Sequence, residues 1–198
     1  MTKKPKLFLD MDNVLVDTLT VLNTLNPADY QVEKPDQIPG VFLDLAPVEG
    51  AVQAVKELSV YYELFILSTA PWENPSAWQD KLIWLEKYFG KDVKSPFYKR
   101  VILAHDKGLV HGVGGILVDD RPYHGASSWD DEQADSVWLQ YGYDQRLIWS
   151  NELTQYLIDV AQIAQGTPSL REAVKAANQF NYTLMGDRIT FEKADWEK

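Results

Sequence analysis

The chain has 198 residues, 45% of them hydrophobic, no cysteine and a formal net charge of −10. That length suits one domain with its own core. The missing thiols exclude disulfides and thiolate metal sites, and a negative charge relieved by no basic patch argues against a nucleic-acid duplex as partner. No run reaches the ~20 apolar residues of a membrane helix, and the charged start lacks the apolar stretch of a secretory leader. The expected setting is the reducing cytoplasm, away from membranes.

The first element in chain order is "KLFLDM" (6–11), a short apolar run that reads as a buried strand. Residues 18–46 carry prolines and patchy periodicity, and read as a small cap insertion after that strand. "VEGAVQAVKELSVY" (48–61) places Val48, Val52, Val55 and Leu58 on one helical face. A second strand follows in "YELFILS" (62–68), then a helix in "PSAWQDKLIWLEKYFG" (75–90), with Ser76 as its expected cap and Gly90 at its end. "KRVILA" (99–104), "GGILVDD" (114–120) and "DSVWLQ" (135–140) are further strands, and "NELTQYLIDVAQIAQG" (151–166) is a helix. Residues 167–198 read as a short helix and a hairpin turning near Met185–Gly186–Asp187. The helical stripe in this tail suits either the core or a second copy of the chain, as in a homodimer.

Strands alternating with helices mean βαβ units with right-handed crossovers. The expected fold class is therefore α/β, a Rossmann-like parallel sheet flanked by helices on both faces. The catalytic core would comprise 1–17 and 47–166, the reduced cap 18–46, and the C-terminal extension 167–198. In such sheets ligands bind outside the carboxyl ends of the strands. Four of those ends carry Asp10 and Asp12, Ser68 and Thr69, Lys107 in "AHDKG", and Asp119 and Asp120.

Four carboxylates at one rim need compensation, because two unit charges 4 Å apart repel by about 4 kcal/mol at an effective dielectric of ~20. Oxygen ligands without His or Cys favour a hard cation such as Mg²⁺. With the cation present, Asp10 can stay ionised while Asp12 carries a proton. That pairing suits displacement at phosphorus: one carboxylate attacks and becomes an acyl phosphate, and the other moves a proton. Ser68 and Lys107 can hold phosphoryl oxygens. Trp72, in the loop after the second motif, can stack on a base or ring. His105 is read as a substrate or phosphate contact; Trp78 and Trp84 are read as helix packing.

"DMDNVLVDT", the hydroxyl after "LFIL", the Lys of "HDKG" and the "DD" after "GILV" follow the order of the four motifs of the haloacid dehalogenase-like superfamily, which the chain therefore resembles. "LDLAPVEGAVQAVKEL", "LEKYFG", "RVILAHDKGLV" and "ILVDDRP" are more narrowly similar to the 5'(3')-deoxyribonucleotidase family, over about residues 42–130 and the first strand. The resemblance implies Asp10 as nucleophile and Asp12 as acid/base. It implies Mg²⁺ held by Asp10, the Asp12 backbone carbonyl and the Asp119–Asp120 pair, with Asp120 direct and Asp119 through water or Lys107. The implied substrate is a small phosphate monoester, a nucleoside monophosphate. The chain departs from the pattern at Asn13, where the superfamily has Gly, at His105, where the nucleotidases carry Arg, and in a shorter cap. A sugar-phosphate or polynucleotide-end phosphatase and a silent binding protein are the alternatives. A signalling receiver module fits less well, because its phosphoacceptor sits on the third strand, which here ends in Ala104–His105.

Overall fold

The computed structural model describes residues 4–186. Five short strands form one parallel sheet: β1 (Lys6–Leu9), β2 (Glu63–Ser68), β3 (Val101–Leu103), β4 (Gly115–Asp119) and β5 (Ser136–Gln140), in the order β3-β2-β1-β4-β5. β1 lies at the centre, with Leu9 in register with Ile66 on one side and Val118 on the other. Strands covered on both faces must be apolar at every position, which is why they read as unbroken hydrophobic runs.

The period of two sorts the side chains. Leu7, Leu9, Ile66 and Val118 point to one face, and Phe8, Leu67, Leu117 and Trp138 to the other. The first face carries α2 (Ala51–Leu58), α3 (Ser76–Phe89), α4 (Leu153–Ile163) and α5 (Leu170–Ala177), all packed into one core. On the second face the flanking helices are 3-10 segments, Lys107–Val113 and Ala126–Trp129. The glycines of "KGLVHGVGG" weaken any longer helix there. Trp129 fills the gap, fully buried against Phe8, and its indole donates to the Lys107 carbonyl at 3.0 Å.

Two helix starts differ from expectation. α2 begins after Gly50, not at Val48, because Gly50 holds φ +80° and a Cβ there would meet the Trp149 carbonyl at 2.9 Å. Ser76 is the first residue of α3 and does not cap it. Its hydroxyl accepts from the Gly40 amide at 2.9 Å, tying the insertion to the helix.

The insertion departs and returns through paired backbone bonds. Asp17 N–H donates to the Ala46 carbonyl and Val48 N–H to that of Leu15, both at 2.9 Å. Between these points run α1 (Thr18–Leu22) and two 3-10 turns, Pro27–Tyr30 and Pro35–Gln37. At the other end, Leu170, Ala173, Val174 and Ala177 of α5 enter the main core, and Leu184 accepts from Gln140 N–H at 2.8 Å beside the edge strand β5. The first arm of the expected hairpin is not a strand, since residues 181–186 are irregular, and everything beyond Gly186 lies outside the described residues. Among the described residues no helix is long and apolar enough to cross a membrane.

Candidate active site

The strand order reverses between β1 and β4, and the crevice at such a switch point is the standard ligand site of open α/β sheets. Asp10 leaves β1 there, its N–H on the Val118 carbonyl at 3.0 Å, and Asp119 ends β4 beside it. Lys107 lies between them, with Nζ 3.0 Å from Asp10 Oδ2 and hydrogen-bonded to Asp119 Oδ2. All three are buried. Burial alone would lower the Lys107 ammonium, but the carboxylates of Asp10 and Asp119 outweigh it and hold the lysine protonated. Burial likewise works to raise Asp10, yet Lys107 and Lys81, with a Ser68 hydrogen bond, bring it below the ordinary carboxylate range.

Asp120 has weaker support: Arg121 Nε lies 3.7 Å from its Oδ1, and no lysine ammonium among the described residues bonds it directly. Burial pushes its carboxyl up to about 8 against the pull of Arg121, with Asp119 and Asp10 adding repulsion. Asp119 is pushed up to about 6, again by burial first, with Lys107 opposing and Asp10 adding. Asp10, Asp119 and Asp120 each offer one oxygen within 4.8 Å of the others. Asp10 Oδ1 and Asp120 Oδ1 are buried without a hydrogen-bond partner. Three converging carboxylates face one ammonium and one guanidinium, and two of their buried oxygens accept no hydrogen bond; the remaining deficit of positive charge fits a hard divalent cation.

Asp12, two residues on, has a different environment. Thr18 Oγ1 donates to its Oδ1 at 2.9 Å, and Lys81 Nζ lies 2.5 Å from its Oδ2. The turn that follows Asp12 holds a left-handed residue, Asn13, at φ 57°. Its side chain then accepts from Leu19 N–H at 3.0 Å and donates to Asp120 at 3.3 Å.

Lys81 is the residue that the motif reading missed. It is 1% exposed, and besides Asp12 its ammonium donates to the Thr69 carbonyl at 2.6 Å and to Ser68 Oγ at 3.1 Å. A signal was present in the chain. Lys81 falls four residues after Ala77 and three and four before Trp84 and Leu85, all buried, so it occupies the apolar stripe of α3. A lysine on a buried stripe calls for a partner.

Above these groups opens a cavity of about 660 Å³, lined by Asp12, Thr69, Trp72 and His105 among others. Asp10, Ser68, Lys107, Asp119 and Asp120 are not in its wall; they lie behind it, at the strand ends. Trp72 is 76% exposed at the rim, its ring 5.4 Å from that of His105. Trp84 packs in the core as expected, with its indole on the Leu45 carbonyl at 2.8 Å. Trp78 does not: it is partly exposed and meets the His105 ring edge-on at 5.6 Å, so it borders the cavity loop.

Residues 30–147, more than half of the chain, match the family model described as "5' nucleotidase, deoxy (Pyrimidine), cytosolic type C protein". The chain belongs to the 5'(3')-deoxyribonucleotidase family. It is 38% identical over 155 residues to a protein of Vibrio phage KVP40 that carries the family's name, covering 77% of this chain and 85% of the relative. A family member from Bordetella pertussis is 38% identical over 85 residues, 42% of each chain. The human "5'(3')-deoxyribonucleotidase, cytosolic type" is 27% identical over 152 residues, 61% of this chain and 73% of its own. Membership places this deoxyribonucleotidase relative among phosphoric monoester hydrolases.

Proposed function

We propose that the protein hydrolyses a nucleoside monophosphate through a phosphorylated Asp10, with Mg²⁺ in the site. The observation that carries this reading is the contrast between the two acids of one turn. Asp10 is held below the ordinary range by two ammonium groups, as a nucleophile must be. Asp12 faces the cavity, where a leaving group would lie. An Asp10 oxygen forms the new bond to phosphorus while the ester P–O bond breaks, and Asp12, which takes up a proton as the phosphate monoester binds, gives it to the departing alkoxide. Asp12 then takes a proton from water, whose oxygen attacks phosphorus as the Asp10–phosphorus bond breaks, releasing phosphate. Lys107 keeps Asp10 ionised and aimed, and Lys81 fixes Asp12 and carries positive charge beside Ser68 and Thr69, where phosphoryl oxygens would bind. Asp10, Asp119 and Asp120, with the Asp12 carbonyl, would hold Mg²⁺, which supplies charge neutralisation at the phosphoryl group when bound.

The cavity volume falls in the range of small-ligand sites, and Trp72 and His105 give it an aromatic edge for a base. The test is phosphate release from deoxy- and ribonucleoside 5'- and 3'-monophosphates, sugar phosphates and an aryl phosphate, with and without Mg²⁺. Asp10→Asn is the control. The expected result is Mg²⁺-dependent turnover of nucleotides that Asp10→Asn abolishes. Full activity in Asp10→Asn would overturn the covalent route, and turnover of the aryl phosphate alone would overturn the nucleotide assignment.

A further inference from the structure

Part of the cavity wall is built by the insertion, where the 3-10 turn Pro35–Gln37 brings in Asp36 and Gln37. This turn is fixed to the core. Asn74, itself buried in the loop after β2, donates through Nδ2 to the carbonyls of Asp36 and Ile38, each at 2.9 Å. Gln37 is oriented as well: its Oε1 accepts from the amides of Glu33 at 2.9 Å and Lys34 at 3.2 Å. With its oxygen committed, the donors that Gln37 can offer to a ligand are its Nε2 hydrogens. Asp36 Oδ1 is buried and makes no hydrogen bond. Burial pushes the Asp36 carboxyl up; Lys34 opposes, and Glu73 and Asp12 add to the rise. Unpaired buried acceptors are rare in folded proteins, and each calls for a reason.

The geometry points to Asp36 and Gln37 as the residues that read the edge of the nucleobase. Asp36 accepts a base N–H, and Gln37 Nε2 donates to the ring nitrogen or carbonyl beside it. This rests on the nucleotide reading above and adds the residues that select for a base. Position, fixation and chemistry agree. The pair shares the cavity with Asp12 and Thr69, where the phosphoryl end would bind, and it is fixed by contacts that leave Asp36 Oδ1 without a hydrogen bond. Glu33 and Glu73 flank Asp36 in the same cavity, with Lys34 the nearby cation, so this end repels a second phosphate and suits an uncharged donor-bearing group. A wall built to hydrogen-bond a substrate N–H rejects analogues that lack it, because its own polar groups are then left unpaired.

The test uses binding, so that it does not depend on turnover. Asp10→Asn protein with Mg²⁺ is titrated by calorimetry with dTMP and its N3-methyl derivative, and with dAMP and its N6,N6-dimethyl derivative. Deoxyribose 5-phosphate serves as the base-free control. Each parent nucleotide should bind about tenfold or more tightly than its methylated form. Adding Asp36→Ala should weaken the parents and bring each pair to within about twofold. Adding Gln37→Ala should weaken the parents while keeping the preference for N–H over N–CH₃. An equal loss of affinity for deoxyribose 5-phosphate would mean that these residues only support the fold, and would overturn the inference. So would a preference for N–H that survives Asp36→Ala, or no binding of any nucleotide. Selective binding without turnover in the native protein would instead sink the hydrolase reading and leave the base-reading pair standing.

Discussion

Lys81→Met tests how the site is assembled, because it removes a single charge and keeps the volume. The ammonium is 1% exposed and has three oxygen partners, with Asp12 Oδ2 the nearest at 2.5 Å. At an effective dielectric of ~20, a pair this close attracts by about 7 kcal/mol gross, most of it offset by stripping water from the ammonium. Removing one member of a buried pair costs about 3–5 kcal/mol, since the other is left uncompensated. Asp12 keeps its Thr18 bond, and its side chain is 15% exposed, so water can reach it. We therefore expect the low end, about 3 kcal/mol, which for a domain of this size lowers Tm by about 6–12 °C. If Lys81 also carries charge facing the phosphoryl group, kcat should fall by about a hundredfold or more, at ~1.4 kcal/mol per factor of ten. Differential scanning calorimetry and steady-state phosphate release measure the two effects. A variant that melts within 2 °C of the native protein and turns over at its rate would refute the role assigned to Lys81.

Two further outcomes follow from charge and exposure. Asp119 and Asp120 are raised to about 6 and about 8 from an ordinary 3.8, so between about pH 4 and 8 the folded chain binds more protons than the unfolded one. Stability contributed at low pH is then lost as pH rises through that window; Asp10, shifted the other way, acts only at more acid pH. Without metal, Tm should fall from pH 5 to pH 8, and Mg²⁺ should raise Tm more at pH 8 than at pH 5. Equal stabilisation at both values would count against the carboxylate cluster as the metal site. Trp72→Ala, at a residue 76% exposed, should leave Tm within about 2 °C, since surface substitutions cost about 0.5 kcal/mol or less. It should weaken nucleotide binding by about tenfold, from a stacking contribution of about 1–3 kcal/mol. Unchanged affinity in calorimetry would remove Trp72 from the base site.

The sequence by itself determined the sheet and its rim. Unbroken apolar runs such as "KLFL" and "GILV" must be strands covered on both faces, and the residue after a parallel strand must emerge at its carboxyl end, so Asp10, Ser68 and Asp119 were bound to meet. Asn13, which stands where the resembled superfamily has Gly, keeps the left-handed backbone that Gly would supply, as Asn can. The tertiary structure alone decided what surrounds those ends. Lys81 comes to Asp12 across 69 positions of chain, and Asn74 to Asp36 across 38, through packing angles that no local periodicity encodes. Trp78 and Trp84 share one helix and one residue type, yet one borders the cavity loop and the other fills the core. Local pattern fixes which side of its own element a side chain leaves from. What it meets there depends on how elements distant in sequence are brought together, and that is settled only when the whole core closes.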